Sequence, residues 1–221
     1  MNYDVIRTFG ADYIIFDIIF LVLFIFLLFK FKKKIALFAF LIGGLLINFV
    51  VDWGIWLHTG LREVVLPVGW NVILFFLWFS ISYGVEYAYV FLMFEKKSKK
   101  LFWTFLIFIS WILIALLSKF IPINDSAISL VRHMSDLRFL RILIVLIGYG
   151  LLLFLKYDWK KIGYLFFIGF LVHFMMEFSL LITGIRPGSF FILLENSLIE
   201  FNMGVPFFYL LYDRVLKKRF R

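Results

Sequence analysis

The sequence predicts an all-α integral membrane protein with seven transmembrane helices, arranged as a 3+1+3 parallel internal repeat. Three observations support this fold class. The 221 residues are 64% hydrophobic and 22% aromatic, which is far too apolar for a soluble domain. Apolar runs long enough to cross a bilayer recur along the chain. Two stretches of sequence also repeat each other.

The apolar runs define the predicted spans, because about 20 helical residues cross the hydrocarbon core of a bilayer. We expect a single membrane domain over residues 1–221. Its spans lie near 13–30, 35–56, 70–93, 101–121, 139–156, 162–182 and 191–213. The outer segment 122–138 is expected to contain a turn at Asn124, Asp125 and Ser126, followed by an amphipathic surface segment.

The basic residues predict the orientation. Most of the 23 Lys and Arg follow spans one, three, five or seven, and with seven spans these all fall on one face. They are Lys30, Lys32, Lys33, Lys34, Lys96, Lys97, Lys99, Lys100, Lys156, Lys160, Lys161, Arg214, Lys217, Lys218, Arg219 and Arg221. The positive-inside rule makes that face cytoplasmic, with the N-terminus outside and the C-terminus inside. We therefore expect a multi-pass protein of the cell membrane whose +9 net charge does not indicate nucleic-acid binding. The leading segment carries one Arg against two Asp and is not expected to be a cleaved signal peptide.

The repeat relates residues 27–62 to residues 153–186. The strings LLFKFKKK, LIG, NFVVD and TGLR recur as LFLKYDWK, FIG, HFMME and TGIR. The matched pairs are Lys30 with Lys156, Lys34 with Lys160, Gly43 with Gly169, Asn48 with His173, Asp52 with Glu177, and Arg62 with Arg186. We expect repeat one over about 13–95, a linker helix over about 101–121 and repeat two over about 139–214. Membrane proteins built from two such units commonly place their site between the copies.

Carboxylates within the apolar runs predict a polar cavity, because intramembrane charges are costly and usually functional. Asn48 and Asp52 are spaced i,i+4, as are His173 and Glu177, so each pair shares a helix face. Structural interhelical hydrogen bonds remain the alternative interpretation. The candidate acids and bases are Glu86, Glu177, His173, Asp52 and Glu200.

Other polar and aromatic residues are candidates for substrate binding. Arg62 and Arg186 end the matched TG-x-R segments, where they can neutralise Asp52 and Glu177 or reach phosphate. The remaining candidates are Asn48, Trp78, Tyr83, Tyr89, Asn196 and Asn202. For the aromatic residues, an interfacial belt or core packing is the alternative. Cysteine is absent from the sequence, and no dense His and carboxylate cluster occurs, so we expect neither a metal nor a cofactor.

The stretch GVEYAYVF, with Glu86 and Tyr89, resembles the W-E-x-x-Y stretch of fungal seven-span membrane terpene cyclases, with Val85 at the position of the Trp. The duplicated three-span plan resembles lycopene cyclases of the fused-subunit type. The resemblance implies that intramembrane carboxylic acids protonate an olefin or epoxide and that aromatic walls guide a carbocation. It also implies that Glu86 is the acid.

Apart from a purely structural membrane subunit, two functions therefore remain open from the sequence. One is an acid–base isomerase or cyclase acting on an isoprenoid or another lipid. The other is a proton-coupled transporter or binding protein for lipids or small molecules, which would use the same carboxylates as a relay. Both imply a membrane lipid or hydrophobic small molecule as the partner. A retinal protein is excluded, because span seven has no lysine before Lys217.

Overall fold

A computed structural model describes residues 4–96, 98–124, 126–133 and 137–216 of the chain. Among these residues the fold is mostly helical, and five helical segments are long and apolar enough to cross a membrane. They are Ala11–Lys30, Lys34–Leu57, Val72–Phe94, Lys100–Phe120 and Trp159–Ile182. The predicted turn residue Asp125 and the basic residues Lys97, Lys217, Lys218, Arg219 and Arg221 lie outside the described residues.

The helices follow the apolar runs in order. They are α1 (Ala11–Lys30), α2 (Lys34–Leu41), α3 (Val72–Phe94), α4 (Lys100–Phe120), α5 (Arg138–Phe154), α6 (Trp159–Ile182), α7 (Phe190–Ile199) and α8 (Val205–Leu211). The last run is divided by a 3₁₀ turn over Phe201–Met203, and Pro206 lies in the first turn of α8, where its missing N–H is tolerated. The fifth and seventh runs are thus a 17-residue helix and a broken helix.

The second run changes its winding halfway along. After α2 the chain continues as two π-helical segments, Ile42–Asn48 and Val50–Leu57. Such windings are rare and concentrate at functional sites. The segment packs closely against α3, because a Cβ on Gly43 would lie only 2.3 Å from the Tyr87 ring. Glycine at this contact therefore lets the two helices approach.

A three-stranded antiparallel sheet covers one end of the helices and was not predicted from the sequence. Its strands are β1 (Asp4–Gly10), β2 (Arg62–Val65) and β3 (Ala127–His133), in the order β1-β3-β2. The expected amphipathic surface segment thus contains a central strand. β1 leads directly into α1, and β3 follows α4, so the sheet lies opposite the lysine-rich turns.

Alternation along the strands buries one face of this sheet against the helices. Side chains of a strand point to opposite faces in turn. On β3 the buried positions are Ile128, Leu130 and Arg132, and on β1 they include Arg7. The register places Arg62 of β2 directly opposite Arg132. Arginines from all three strands therefore lie on the buried face.

At the lysine-rich end the helices pack around large aromatic side chains. Phe24, Phe40, Tyr89 and Trp103 are almost completely buried, and the Phe24 and Trp103 rings meet edge to face at 6.0 Å. These side chains fill the space between the helices there, next to a pocket of about 440 Å³ lined by Phe31, Lys33, Glu95 and Trp103.

Candidate functional site

A cavity of about 250 Å³ lies beneath the sheet. Its walls come from the π-helical segments, α3, α6 and the break after α7. Seven of the predicted site residues line it: Asn48, Asp52, Arg62, Tyr83, Glu86, His173 and Glu200. Apolar side chains, including Ile47, Val51, Ile144 and Met203, form other parts of the wall. The cavity therefore combines a polar region with an apolar one.

Arg7, Glu177 and Arg186 form an ion-pair group that we call the closed cluster. Arg7 Nη2 donates to Glu177 Oε1 at 2.6 Å, and Arg7 Nη1 donates to the Tyr83 hydroxyl at 2.8 Å. Arg186 donates to the second oxygen of Glu177. Burial acts to lower the pKa of Arg7, but Glu177 and Tyr83 outweigh it and raise that pKa above its ordinary value. Glu177 thus has an arginine on each oxygen.

Glu86 and His173 form a buried pair between α3 and α6. His173 Nδ1 lies 3.1 Å and 3.2 Å from the two carboxylate oxygens of Glu86. Its Nε2 lies 3.5 Å from Glu177 Oε1, which is too long for a good hydrogen bond. The imidazole therefore stands between two carboxylates, and only one of them, Glu86, lines the cavity. An imidazole in this position can hold and transfer a proton.

Asp52, Arg62 and Arg132 form a second group at the cavity, which we call the open cluster. Arg62 Nη2 lies 3.1 Å from Asp52 Oδ1. Arg132 Nη1 instead donates to Glu200 Oε2 at 2.7 Å. Both guanidinium groups lie over the Trp56 ring, at 5.0 Å and 5.6 Å from its centroid. Such cation–π contacts compensate partly for the loss of water around each cation.

The open cluster retains unused hydrogen-bond donors. Within the described part of the chain, Arg62 Nε and Nη1, Arg132 Nε and Nη2, and Asn48 Nδ2 have no partner. Arg62 and Arg132 are 3% and 5% exposed, so they are largely removed from bulk water. Burial lowers the pKa of Arg62 below its ordinary value despite the opposing effect of Asp52. These donors favour an anionic binding partner in the cavity.

Five of the residues predicted to bind substrate do not line this cavity: Arg186, which belongs to the closed cluster, and Trp78, Tyr89, Asn196 and Asn202. Trp78 Nε1 donates to Asp17 Oδ2 at 2.9 Å, and the Tyr89 hydroxyl lies 2.8 Å from Thr104 Oγ1. These two side chains face α1 and α4, because α3 is apolar on all sides and contacts several helices. They serve packing at those contacts.

Asn196 and Asn202, which were also predicted to bind substrate, lie on the broken last span. Asn202 accepts a hydrogen bond from the Tyr149 hydroxyl at 2.6 Å and donates to the Leu198 carbonyl at 3.0 Å. It therefore ties the 3₁₀ turn to α5 and α7. Asn196 is buried on α7, away from the lining.

Sequence reasoning missed the arginines of the strands. Arg7 and Arg132 lie outside the apolar runs, and Arg141, which also donates to Glu200, lies in the first turn of α5. The alternation in DVIRTFG and AISLVRH was the available signal, since apolar residues and the arginine occupy every second position. A further missed residue is Asp17, a fully buried carboxylate on α1.

Comparison with known proteins gives no match to a family model, a curated protein or a solved structure.

Proposed function

We propose that this protein is a membrane-embedded enzyme that performs acid–base chemistry on an isoprenoid or another lipid, with Glu86 and His173 as the reacting pair. The observation that supports this best is the buried contact between Glu86 and His173 Nδ1 at the wall of a partly apolar cavity. The pair stores one proton, delivers it to one alkene carbon and removes a proton from the allylic carbon bonded to the other alkene carbon, so that the double bond moves by one position. The substrate is thereby isomerised with no net change in composition.

The ion pairs narrow the choice of acid. Asp52, Glu177 and Glu200 each contact one or two arginines, and an oxygen held by a guanidinium is poorly placed to donate a proton. Glu86 contacts His173 instead. This supports Glu86 as the acid, in agreement with the terpene-cyclase resemblance.

The charges at the cavity favour isomerisation over cyclisation. A cyclisation develops a long-lived carbocation, and a positive charge near Arg62 and Arg132 would be repelled strongly in a low-dielectric site. The aromatic lining residues Trp56, Tyr83, Tyr87 and Phe201 offset this repulsion in part. A proton shift in which charge never accumulates on carbon suits the cavity better.

We further propose the full topology, with seven spans, a parallel repeat and the sheet outside. Backbone geometry supports the repeat, because Thr8 N donates to Ile185 O at 2.9 Å and His133 N donates to Leu61 O at 3.0 Å. In each case the strand before one repeat bonds the TG-x-R segment of the other. The TG steps also match, with φ of +72° at Gly60 and +77° at Gly184.

The topology can be tested because the chain has no cysteine. A single cysteine in place of the exposed Val68, in the loop after β2, should react with an impermeant maleimide in intact cells. One in place of the exposed Lys99, before α4, should react only after permeabilisation. The reverse labelling would overturn the proposed orientation.

A proton-coupled transporter is the second candidate. The position of His173 between Glu86 and Glu177 favours it, because a histidine between two carboxylates can relay a proton. A transporter would also need a path through the lysine-rich end, where Phe24, Phe40, Tyr89 and Trp103 are buried and a pocket of about 440 Å³ lies beside Trp103.

The decisive experiment uses solvent deuterium. Purified wild-type protein is incubated with membrane lipid extracts in D₂O, and products are identified by mass spectrometry. An acid–base isomerase should generate a new lipid carrying deuterium on carbon, and Glu86→Gln and His173→Gln should abolish it. Glu95→Gln is the matched control, because Glu95 is partly exposed and pairs with Lys33 at the far end of α3. Folded protein that produces no altered lipid would refute the enzyme and direct work to proton-coupled uptake.

A further inference from the structure

The open cluster presents an electrostatic problem within the fold. Arg62 and Arg132 occupy directly opposed positions on neighbouring strands, and like charges in such positions destabilise a sheet. Both side chains are at least nine-tenths buried, so water screens the repulsion poorly. Their shared contact with the Trp56 ring reduces this cost but leaves both charges in place.

The described carboxylates around the cavity leave a positive surplus. The ion pairs at and around the cavity form three separate groups, which together contain five arginines and four carboxylates: Arg7, Arg62, Arg132, Arg141 and Arg186, with Asp52, Glu86, Glu177 and Glu200. Protonation of His173 would add to the surplus. Buried charges require partners, and ordered water can accept hydrogen bonds but cannot neutralise a charge.

The unused donors define the chemistry of the missing partner. Arg132 retains its Nε and Nη2 groups, the edge of a guanidinium that binds an oxyanion through two parallel hydrogen bonds. Arg62 adds Nε and Nη1, and Asn48 adds its amide nitrogen. A phosphate offers more oxygens to such a donor set than a carboxylate does, and its charge is about −1.5 to −2 as a monoester.

The rest of the wall indicates what the phosphate is attached to. Ile47, Val51, Ile144 and Met203 line the same cavity and are all partly exposed at its margin. The cavity volume of about 250 Å³ is smaller than a typical drug-sized site of about 300–1,000 Å³. A head group and a short apolar stretch would fill it, and a longer chain would extend into the bilayer.

We infer that Arg62, Arg132 and Asn48 bind the phosphate of an amphiphile whose hydrocarbon chain leaves the cavity along its apolar wall. This inference rests on the proposed function in that the bound lipid phosphate is the substrate presented to Glu86 and His173. The phosphate site and the proton-transfer pair are nevertheless separate groups of residues, so each can be removed alone.

The test measures binding to purified protein in a non-ionic detergent by native mass spectrometry. The probes are dodecyl phosphate, dodecanoate, dodecanol and inorganic phosphate. Dodecyl phosphate should bind most tightly. Arg62→Lys and Arg132→Lys should each weaken it about tenfold or more, since lysine keeps a positive charge but loses the unused guanidinium donors. Arg138→Lys is the matched control, because Arg138 is 47% exposed and pairs with Glu195 near the same end of the molecule.

Several outcomes would overturn the inference. If dodecanol binds as tightly as dodecyl phosphate, or if both lysine variants bind dodecyl phosphate unchanged, the cavity has no anion site. If dodecanoate binds more tightly, the site binds a carboxylate and not a phosphate. If inorganic phosphate binds as tightly as dodecyl phosphate, the ligand is not a lipid. Glu86→Gln removes a negative charge from the cavity wall and should not weaken dodecyl phosphate binding, so failure of the enzyme proposal and failure of the phosphate site are distinguishable.

Discussion

Removing the negative charge of Asp52 should strongly destabilise the protein. Asp52→Asn keeps the shape of the side chain but leaves Arg62 without the carboxylate 3.1 Å away. Arg62 is 3% exposed and faces Arg132 across the strand pair, so its charge would be buried and repelled. Breaking a buried ion pair on one side costs about 3–5 kcal/mol.

This cost translates into a large thermal shift. For a protein of this size each kcal/mol shifts the unfolding midpoint by about 2–4 °C, so the midpoint should fall by roughly 6–20 °C. The assay is thermal unfolding in one detergent at fixed pH and lipid content. Arg62→Gln in the Asp52→Asn background should recover much of the loss, because it removes the uncompensated charge.

The matched control is Glu195→Gln, which breaks the partly exposed pair with Arg138. Pairs of this kind contribute about 0–1 kcal/mol, so the midpoint should move by a few degrees at most. Equal shifts for Asp52→Asn and Glu195→Gln would refute the reasoning, since they would show that water reaches the open cluster freely.

Three further predictions concern packing and pH. Gly84→Ala should destabilise the protein by about 1–3 kcal/mol, because its Cβ would lie 2.5 Å from the Phe40 carbonyl oxygen. Gly163→Ala on α6 should stabilise it by up to about 1 kcal/mol, because its Cβ would meet no neighbouring element within 4 Å. Thermal unfolding measures both changes. His133 should titrate above its ordinary range, because hydrogen bonds from its ring to Glu63 and Asp4 raise its pKa. A raised folded-state pKa gives stability that is complete below about pH 6.5 and is lost as pH rises through that pKa, so His133→Gln should remove this part of the pH dependence. An NMR titration showing a lowered His133 pKa would contradict the sign.

The carboxylates of the site were predictable, because a charge within an apolar run is visible in the sequence itself. Asp52, Glu86 and Glu200 were identified in this way, and all three line the cavity. The arginines that bind them were harder to identify. Arg7 and Arg132 reach the site through strands whose pairing joins residues 64 to 129 positions apart, and no local pattern specifies that pairing.

The direction in which a helical residue faces was also poorly predictable. A position along α3 follows from counting residues, but α3 is apolar around its whole circumference, so hydrophobic periodicity does not identify its inner face. Tyr83 lines the cavity, whereas Tyr89 faces Thr104 of α4 instead. The helix break at Glu200–Gly204 likewise moves Asn202 out of the lining.

The two clusters are related by the proposed repeat but are completed differently. Arg186 corresponds to Arg62 and Glu177 to Asp52, and Arg7 and Arg132 lie in the strands that precede the first helix of each copy. In the closed cluster the carboxylate of Glu177 accepts from both arginines. In the open cluster Asp52 pairs with Arg62, and Arg132 donates to Glu200.

The difference of one methylene between Asp52 and Glu177 explains this asymmetry and can be tested directly. The longer carboxylate of Glu177 bridges its two arginines, whereas the shorter Asp52 leaves the donors of the open cluster unused. Asp52→Glu should therefore fill the cavity with the protein's own carboxylate, raise the unfolding midpoint and weaken dodecyl phosphate binding about tenfold or more, the effect of about one lost charge-assisted contact. Glu177→Asp is the reciprocal variant and should lower the midpoint while leaving that binding unchanged. Undiminished phosphate binding by a folded Asp52→Glu protein would show that the unused donors of Arg62 and Arg132 are not the anion site.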